Sequence, residues 1–194
     1  QVAPAEYVVF DRGFVRAIAV HFPNDAVAQT VSSAREWGTV QRLRFLPTSV
    51  QRLDPAMLSL RFVGPLDARG LQDLHRLHAE LPAVERIHVV LENDAMLNAL
   101  ADLHAPSGLR CLIVGSAPGG PGRTNERRRN PFTGLEQEIP SATSNLTPGV
   151  LAPLRGAEWW RQLDEVVITQ SSSPRSIDAE DLAELAIDVF EIGR

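Results

Sequence analysis

The sequence contains no lysine, only one cysteine and no long apolar run. All 19 basic residues are arginine, which excludes a P-loop lysine, a Schiff-base lysine and any other lysine-centred chemistry. Cys111 alone can form neither an internal disulfide framework nor a cysteine cage for zinc. No apolar run approaches the ~18 residues that span a bilayer, so we expect no membrane association. The net charge of −5 argues against a protein that binds nucleic acid over its whole surface.

The remaining composition is that of a globular protein. With 194 residues, of which 44% are hydrophobic and 22% charged, the chain is predicted to form a single domain over residues 1–194. It opens at Gln1 and shows no basic start followed by an apolar core, so we predict a cytoplasmic protein without a signal peptide. We interpret the N-terminus as the cut edge of a longer chain.

A short apolar template recurs along the sequence. Its form is apolar-x-x-apolar-x-apolar, and its copies begin at residues 15, 40, 57, 84, 109, 163 and 187. The gaps of 25, 17, 27, 25, 54 and 24 residues centre on a period of about 25. Because the second half of the template alternates, each copy predicts a half-buried strand. A strand and a helix in each period of this length are typical of leucine-rich solenoids, whose stacked units form a parallel sheet.

The segments between the copies predict helices and one insertion. Apolar residues at spacings of three and four favour helices over 24–37, 67–81, 93–104 and 178–186, with Asp67 and Asn93 as N-caps. The 17-residue gap lacks room for a full helix. Glycine and proline supply 13 of the 42 residues in 115–156, so we predict an irregular insertion at about 115–158. A short helix around Leu151–Trp160 would return the chain to the sheet, with either Trp159 or Trp160 in the core.

Several strand segments resemble a known family. Arg12–Gly13–Phe14–Val15 with Ala17–Ile18–Ala19–Val20 resembles the opening strand that follows an N-terminal repeat-companion domain in bacterial leucine-rich-repeat proteins of the ribonuclease-inhibitor-like kind. Residues 40–45 and 109–114 resemble the strands of those repeats, although this chain lacks their asparagine ladder and carries the insertion. The resemblance covers roughly 15–115 and 160–192. It implies an α/β solenoid with strands on one face and helices on the other. It also implies a protein-binding scaffold without catalytic residues.

The repeat predicts a binding face. Residues flanking the inward template positions point to the opposite side of the sheet. Stacking the copies aligns Arg42, Ser59, Arg86 and Cys111 in one row and Arg44, Arg61, His88 and Ile113 in the next. We therefore predict that the partner-binding residues are Arg42, Arg44, Arg61, Arg86 and His88. Such a patch suits an acidic protein partner. Alternatively, the arginines only keep an exposed sheet soluble, with their stems covering apolar surface.

A rival hypothesis is a small α/β enzyme or nucleotide-binding domain. The glycine-rich loop 115–124 follows an apolar strand, where such proteins bind phosphate. However, Ala117 and Arg123 replace the first glycine and the lysine of a Walker loop, and two prolines remove amide donors. Strand order distinguishes the hypotheses, because a doubly wound sheet reverses at a switch point and a solenoid does not. A third possibility is a structural spacer that binds nothing.

Other candidate groups have ordinary explanations. His75 and His78 stand three residues apart on a predicted helix and could face one metal, or be partly buried histidines. Cys111 lies within a strand, and no local base activates it. Arg127–Arg128–Arg129 could dock an acidic or phosphate group, or form a solvated charge run. We therefore predict a non-enzymatic protein without metal or cofactor.

Overall fold

The apolar segments form most strands of one mixed sheet, and two largely polar segments form a separate hairpin. A computed structural model describes residues 7–117, 120–121, 125–129, 136–140, 146, 149–169 and 188–190. The strands are Tyr7–Asp11 (β1), Phe14–Val20 (β2), Arg42–Phe45 (β3), Phe62–Leu66 (β4), Arg86–Leu91 (β5), Cys111–Ser116 (β6), Asn125–Arg129 (β7), Glu136–Pro140 (β8), Glu165–Ile168 (β9) and Asp188–Phe190 (β10).

The large sheet is mostly parallel and its strands follow sequence order. Its order is β1-β2-β3-β4-β5-β6-β9-β10. The six strands from β2 to β6 and β9 are parallel, whereas β1 and β10 pair antiparallel at the two edges. Among the described strands of this sheet the order never reverses. The chain is therefore an α/β protein, and the described sheet has no switch point of the doubly wound kind.

The first strand forms a hairpin that the repeat template did not predict. β1 pairs with β2 from Tyr7↔Ala19 to Asp11↔Phe14. The connecting residues Arg12 and Gly13 both have positive φ, at 49° and 86°, as a two-residue type I′ turn requires. The sequence contains a signal for this hairpin, because Gly13 stands between an apolar run and the following strand, where a two-residue turn can form.

Among the described residues, three α-helices occupy the connections, and capping side chains set their starts. They are Asp25–Ser32 (α1), Ala68–Arg76 (α2) and Asp94–Ala101 (α3). The predicted N-caps are confirmed: Asp67 accepts from the amides of Arg69 and Gly70, and Asn93 from that of Met96. The helices end earlier than their apolar spacing predicted. α1 is followed by the 3₁₀ helix Arg35–Thr39, and α2 by turn residues up to Glu80. The predicted helix over 178–186 lies outside the described residues.

The core lies between the sheet and the helices. Leu43 of β3, Ile87 of β5 and Leu112 of β6 have no exposed surface, and they join one apolar cluster with Leu74 of α2 and Leu100 of α3. These template residues therefore point inward as predicted. Burial of this continuous apolar layer is the main contribution to stability.

The third copy of the template was predicted in the wrong register. Arg42 pairs with Phe62 and Leu43 with Val63, so the strand begins at Phe62 and its inward residue is Val63. The copy therefore starts at Leu60, three residues after the predicted Met57. Met57 and Leu60 are both buried, but Met57 belongs to the preceding connection. Burial alone could not distinguish the two alignments.

The connection over 46–61 has no helix, as the short gap predicted, and buried polar side chains hold it instead. Gln51 donates from Nε2 to the Pro65 carbonyl at 2.8 Å and accepts from the Asp67 amide at 3.0 Å. Asp73 of α2 accepts from the Leu53 amide at 3.0 Å. These bonds tie the connection to the end of β4 and to α2, and they satisfy three backbone groups.

The insertion contains more order than its composition predicted. β7 and β8 form an antiparallel hairpin, and two 3₁₀ helices, Ala152–Gly156 and Glu158–Gln162, stand where one short helix was expected. Trp159 is buried in the core and Trp160 packs partly against it, which confirms that one tryptophan is a core residue.

The last template copy was predicted as a further strand of the same repeat, and β10 instead runs antiparallel to β9. An apolar alternation carries no information on strand direction, so the template could not reveal this reversal. Within the described parts of the chain, no helix is long and apolar enough to cross a membrane.

Candidate functional site

The candidate site is the face of the large sheet opposite the helices, which we call the outer face. In β5, Ile87 and Val89 point into the core, so Arg86 and His88 point to the outer face. Strand pairing extends this assignment to other strands. The further outer-face residues are Arg42 and Arg44 of β3, Phe62 of β4, Cys111 and Ile113 of β6, and Glu165 and Val167 of β9.

Two arginines flank an aromatic ring on this face. Arg42, Phe62 and Arg86 are direct lateral partners on β3, β4 and β5. The Arg42 guanidinium carbon lies 5.9 Å from the Phe62 ring centroid, within range of a cation–π contact. Because neighbouring strands are about 4.8 Å apart, the two arginines stand roughly 10 Å from each other. Arg86 is exposed and Phe62 is half-buried, so the row is accessible to a partner.

His88 lies on the same face but does not add charge at neutral pH. Burial, together with the nearby charge of Arg44, lowers the pKa of His88 to about 4. Its Nε2 atom is closed to solvent and has no hydrogen-bond partner among the described residues. Gly64, the lateral partner of Arg44, leaves room for the histidine. The positive charge of the patch therefore comes from arginine alone.

Arg61 does not align with Arg44 and His88 as predicted. Because β4 begins at Phe62, Arg61 precedes the strand, at the edge where the parallel strands start. Its carbonyl accepts from the amides of Glu85 and Arg86 at 2.8 and 2.9 Å. Its exposed side chain lies 3.2 Å from the Glu85 carboxylate. The structure thus brings Arg42, Arg44 and Arg86 onto one face and places Arg61 at its margin.

The part of the outer face on β6 and β9 is largely apolar. The repeat template placed Cys111 and Ile113 on this face but did not predict that they are buried. Cys111, Ile113 and Val167 are buried there and form a second small cluster against Phe62. The signal was present in the sequence, because β6 and β9 are apolar at successive positions instead of alternating. The outer face therefore has an arginine half on β3–β5 and a half on β6 and β9 that is apolar except for Glu165.

The thiol of Cys111 is unsuited to nucleophilic chemistry. Burial, together with the Glu165 carboxylate beside it, raises the pKa of Cys111 to about 12, against a smaller opposite effect of Arg86. A thiol with this pKa stays protonated at physiological pH, and the thiolate is the reactive form. Cys111 therefore contributes packing to the site.

The described part of the glycine-rich loop uses its amides in hydrogen bonds to β5 and to its own backbone. The Ala117 amide donates to the Leu91 carbonyl at 2.8 Å, and the Gly120 amide donates to the Ala117 carbonyl at 2.9 Å. Ser116 Oγ donates to the Pro121 carbonyl at 3.0 Å. A phosphate cradle needs amides that point at the ligand, and these two are already used. Residues 118–119 and 122–124 of the loop lie outside the described residues.

His104 contacts the predicted pair of His75 and His78, but the arrangement of the rings is not that of a metal site. The rings of His75 and His104 stack with centroids 4.6 Å apart and planes at 16°, and the His78 ring meets His104 edge-on. Stacked imidazoles direct their in-plane lone pairs side by side, so these two cannot converge on one ion. Within the described ranges, no group of three or more His, Cys, Asp or Glu side chains could hold a metal.

The arginine run lies in the separate hairpin. Arg127, Arg128 and Arg129 pair in β7 with Glu138, Gln137 and Glu136 of β8. Arg127 and Arg129 therefore stand opposite a glutamate in the backbone register of the hairpin, and Arg128 stands opposite a glutamine.

Comparisons with protein-family models, with curated proteins and with solved structures found no significant match to this chain.

Proposed function

We propose that this chain is a leucine-rich-repeat-like α/β solenoid that acts as a protein-binding scaffold. It recognises an acidic partner with the arginine half of its outer face. The observation that carries the proposal is the lateral row of Arg42, Phe62 and Arg86. Arginine and aromatic side chains dominate the energetics of protein interfaces, and each guanidinium can bind a carboxylate through two parallel hydrogen bonds.

The topology supports a scaffold over a nucleotide-binding enzyme. Parallel strands that lie side by side in sequence order, interrupted only by the β7–β8 hairpin between β6 and β9, create a continuous surface instead of a ligand crevice. The described amides at the start of the glycine-rich loop are used internally, and the thiol of Cys111 is held protonated. These features favour recognition by a surface.

The test compares two double charge reversals. Arg42→Glu with Arg86→Glu removes the row, and Arg155→Glu with Arg161→Glu makes the same charge change at exposed residues of the 3₁₀ helices. Immobilised wild-type protein first retains a partner from native lysate. The affinity of that purified partner is then measured for all three proteins, after circular dichroism confirms folding.

We expect the outer-face reversal to weaken binding at least tenfold, since two interface arginines contribute about 1 kcal/mol or more each. The control should change affinity by about twofold or less, because remote charges are screened by salt. Equal losses in both variants would show a general charge effect. Unchanged binding by the outer-face variant would remove the site assignment, and failure to retain any partner would favour a spacer.

A further inference from the structure

A second candidate site lies away from the outer face, at a cavity of about 390 Å³. The turn after α2 supplies His78, the segment after α3 supplies Leu103 and His104, and the second 3₁₀ helix of the insertion supplies Glu158, Trp159 and Gln162. None of the outer-face residues lines it. Its volume lies in the range of small-ligand pockets.

The polar groups of the cavity are left with unused acceptors. His78 Nδ1 lies 2.9 Å from the His75 carbonyl oxygen. Because a carbonyl only accepts, Nδ1 carries the proton, and Nε2 of the neutral ring remains an acceptor. Gln162 Nε2 donates to the Pro106 carbonyl at 3.2 Å, which leaves its Oε1 as an acceptor.

Glu158 adds a negative charge to these acceptors. Its side chain is exposed, and it takes part in no ion pair with another described residue. The indole N–H of Trp159 has no partner among the described groups, but it is closed to solvent and so cannot serve a ligand in the cavity. The available set is therefore the Glu158 carboxylate, the Gln162 amide oxygen and the His78 imidazole nitrogen, with the exposed His104 ring beside them.

Apolar side chains line the rest of the cavity. Leu103 and Trp159 are buried, and Ala105 is partly buried beside them. A cavity with apolar walls beside hydrogen-bond acceptors is suited to a ligand that has an alkyl chain and a cationic group. That cationic group should donate hydrogen bonds and accept none. The indole ring also provides an aromatic wall of the kind that attracts cations.

We propose that this cavity binds an alkylguanidinium group. A guanidinium has five N–H donors and no acceptor, and its planar form can reach several acceptors while lying against an aromatic ring. The group can come from a small molecule or from an arginine side chain of another protein. The chemistry is the same for both sources, and different probes separate them.

The experiment follows the indole N–H resonances of the intact chain by NMR. The three tryptophans provide an internal control, because Trp37 Nε1 donates to the Val31 carbonyl in α1, away from the cavity. Trp159→Phe assigns the reporter. N-butylguanidinium is the cationic probe, and N-butylurea is its neutral isostere. Acetyl-Gly-Arg-Gly-amide and the same peptide with citrulline test an arginine side chain as the source.

We expect saturable shifts of Trp159 with butylguanidinium and none with butylurea, while Trp37 stays unchanged. Glu158→Gln should weaken binding about three- to fivefold, as for an exposed ion pair. Glu80→Gln, at an exposed residue that does not line the cavity, should leave binding unchanged. A shift with the arginine peptide but not the citrulline peptide would identify a protein side chain as a source. A shift with butylguanidinium alone would identify a free small molecule.

Three results would overturn the proposal. The first is no saturable shift of Trp159 with either cationic probe. The second is equal binding of butylurea, which would indicate apolar filling of the cavity without recognition of charge. The third is an unchanged affinity in Glu158→Gln. Both glutamate variants are exposed substitutions, so circular dichroism should confirm that they fold.

Discussion

Gly64 lies directly against His88 on the outer face. A Cβ atom at Gly64 would stand 2.6 Å from the His88 Cβ and 2.7 Å from its carbonyl oxygen. This approach allows β4 to pass beside β5 where the pairing between them shifts, between Val63 and Leu66. The histidine is thereby enclosed next to Arg44, which is the origin of its lowered pKa.

Gly64→Ala should therefore destabilise the protein strongly. The new methyl group would meet backbone atoms, and the φ of 152° at Gly64 is unfavourable for a side chain. We expect a loss of about 2–4 kcal/mol in the free energy of unfolding, measured in urea. Gly156→Ala is the matched control, because a Cβ there meets nothing within 4 Å, and it should change stability by about 0.5 kcal/mol or less. Equal effects in the two variants would contradict the close packing of Gly64.

Stability should fall on acidification through the ionisation of His88. Its pKa is about 4 in the folded protein, against an ordinary value of 6.5, so the unfolded chain takes up the proton first. The neutral histidine therefore makes its full contribution to the free energy of unfolding above pH 6.5. This contribution is lost as the pH falls from 6.5 to about 4. It amounts to at most about 3 kcal/mol.

The measurement is the free energy of unfolding at pH 7.5 and 4.5 for wild type and His88→Phe. The variant should lose less stability between these two values, because it lacks the group that the unfolded chain protonates. His21→Phe retains His88 and should keep the larger acid loss. A wild-type profile parallel to that of His88→Phe would show that the histidine is not held neutral.

Cys111 should resist thiol reagents in the native state. With a pKa of about 12, roughly one thiol in 10,000 is ionised at pH 8, and the side chain is also buried. Labelling with a chromogenic disulfide should be slow in buffer and rapid in urea. Ser33→Cys, at an exposed position after α1, should add one fast-reacting equivalent. Rapid labelling of the native wild type would contradict this environment.

Gln51→Leu should destabilise the helix-free connection. The substitution leaves the partly buried Asp67 amide and Pro65 carbonyl without their side-chain partner, and an unpaired group costs about 1–3 kcal/mol when it is fully buried. We expect a total loss of about 2–4 kcal/mol in urea denaturation. Gln72→Leu, on the exposed side of α2, should leave stability nearly unchanged. A similar result for both glutamines would mean that the connection does not depend on Gln51.

The sequence by itself determined the features that depend on short-range patterns. Inward residues such as Leu43, Ile87 and Leu112 follow from alternation, and the starts of α2 and α3 follow from the capping chemistry of Asp67 and Asn93. These properties are local, since a strand's own pleat and a helix's own first turn set them. The shared face of the arginines at positions 42 and 86 follows from the same alternation, because each precedes an inward residue of its strand.

Only the tertiary structure decided which residues oppose one another. Alternation shows which side of a strand a residue occupies, but it specifies neither its lateral partner nor the direction of its neighbour. For this reason Arg61, which was predicted at the centre of the face, lies at its margin. Likewise β10 is antiparallel to β9, although the repeat predicted a parallel strand. The contact of His75 with His104, and the cavity beside them, depend on segments distant in sequence. Long-range packing brings these segments together, and a local pattern does not encode it.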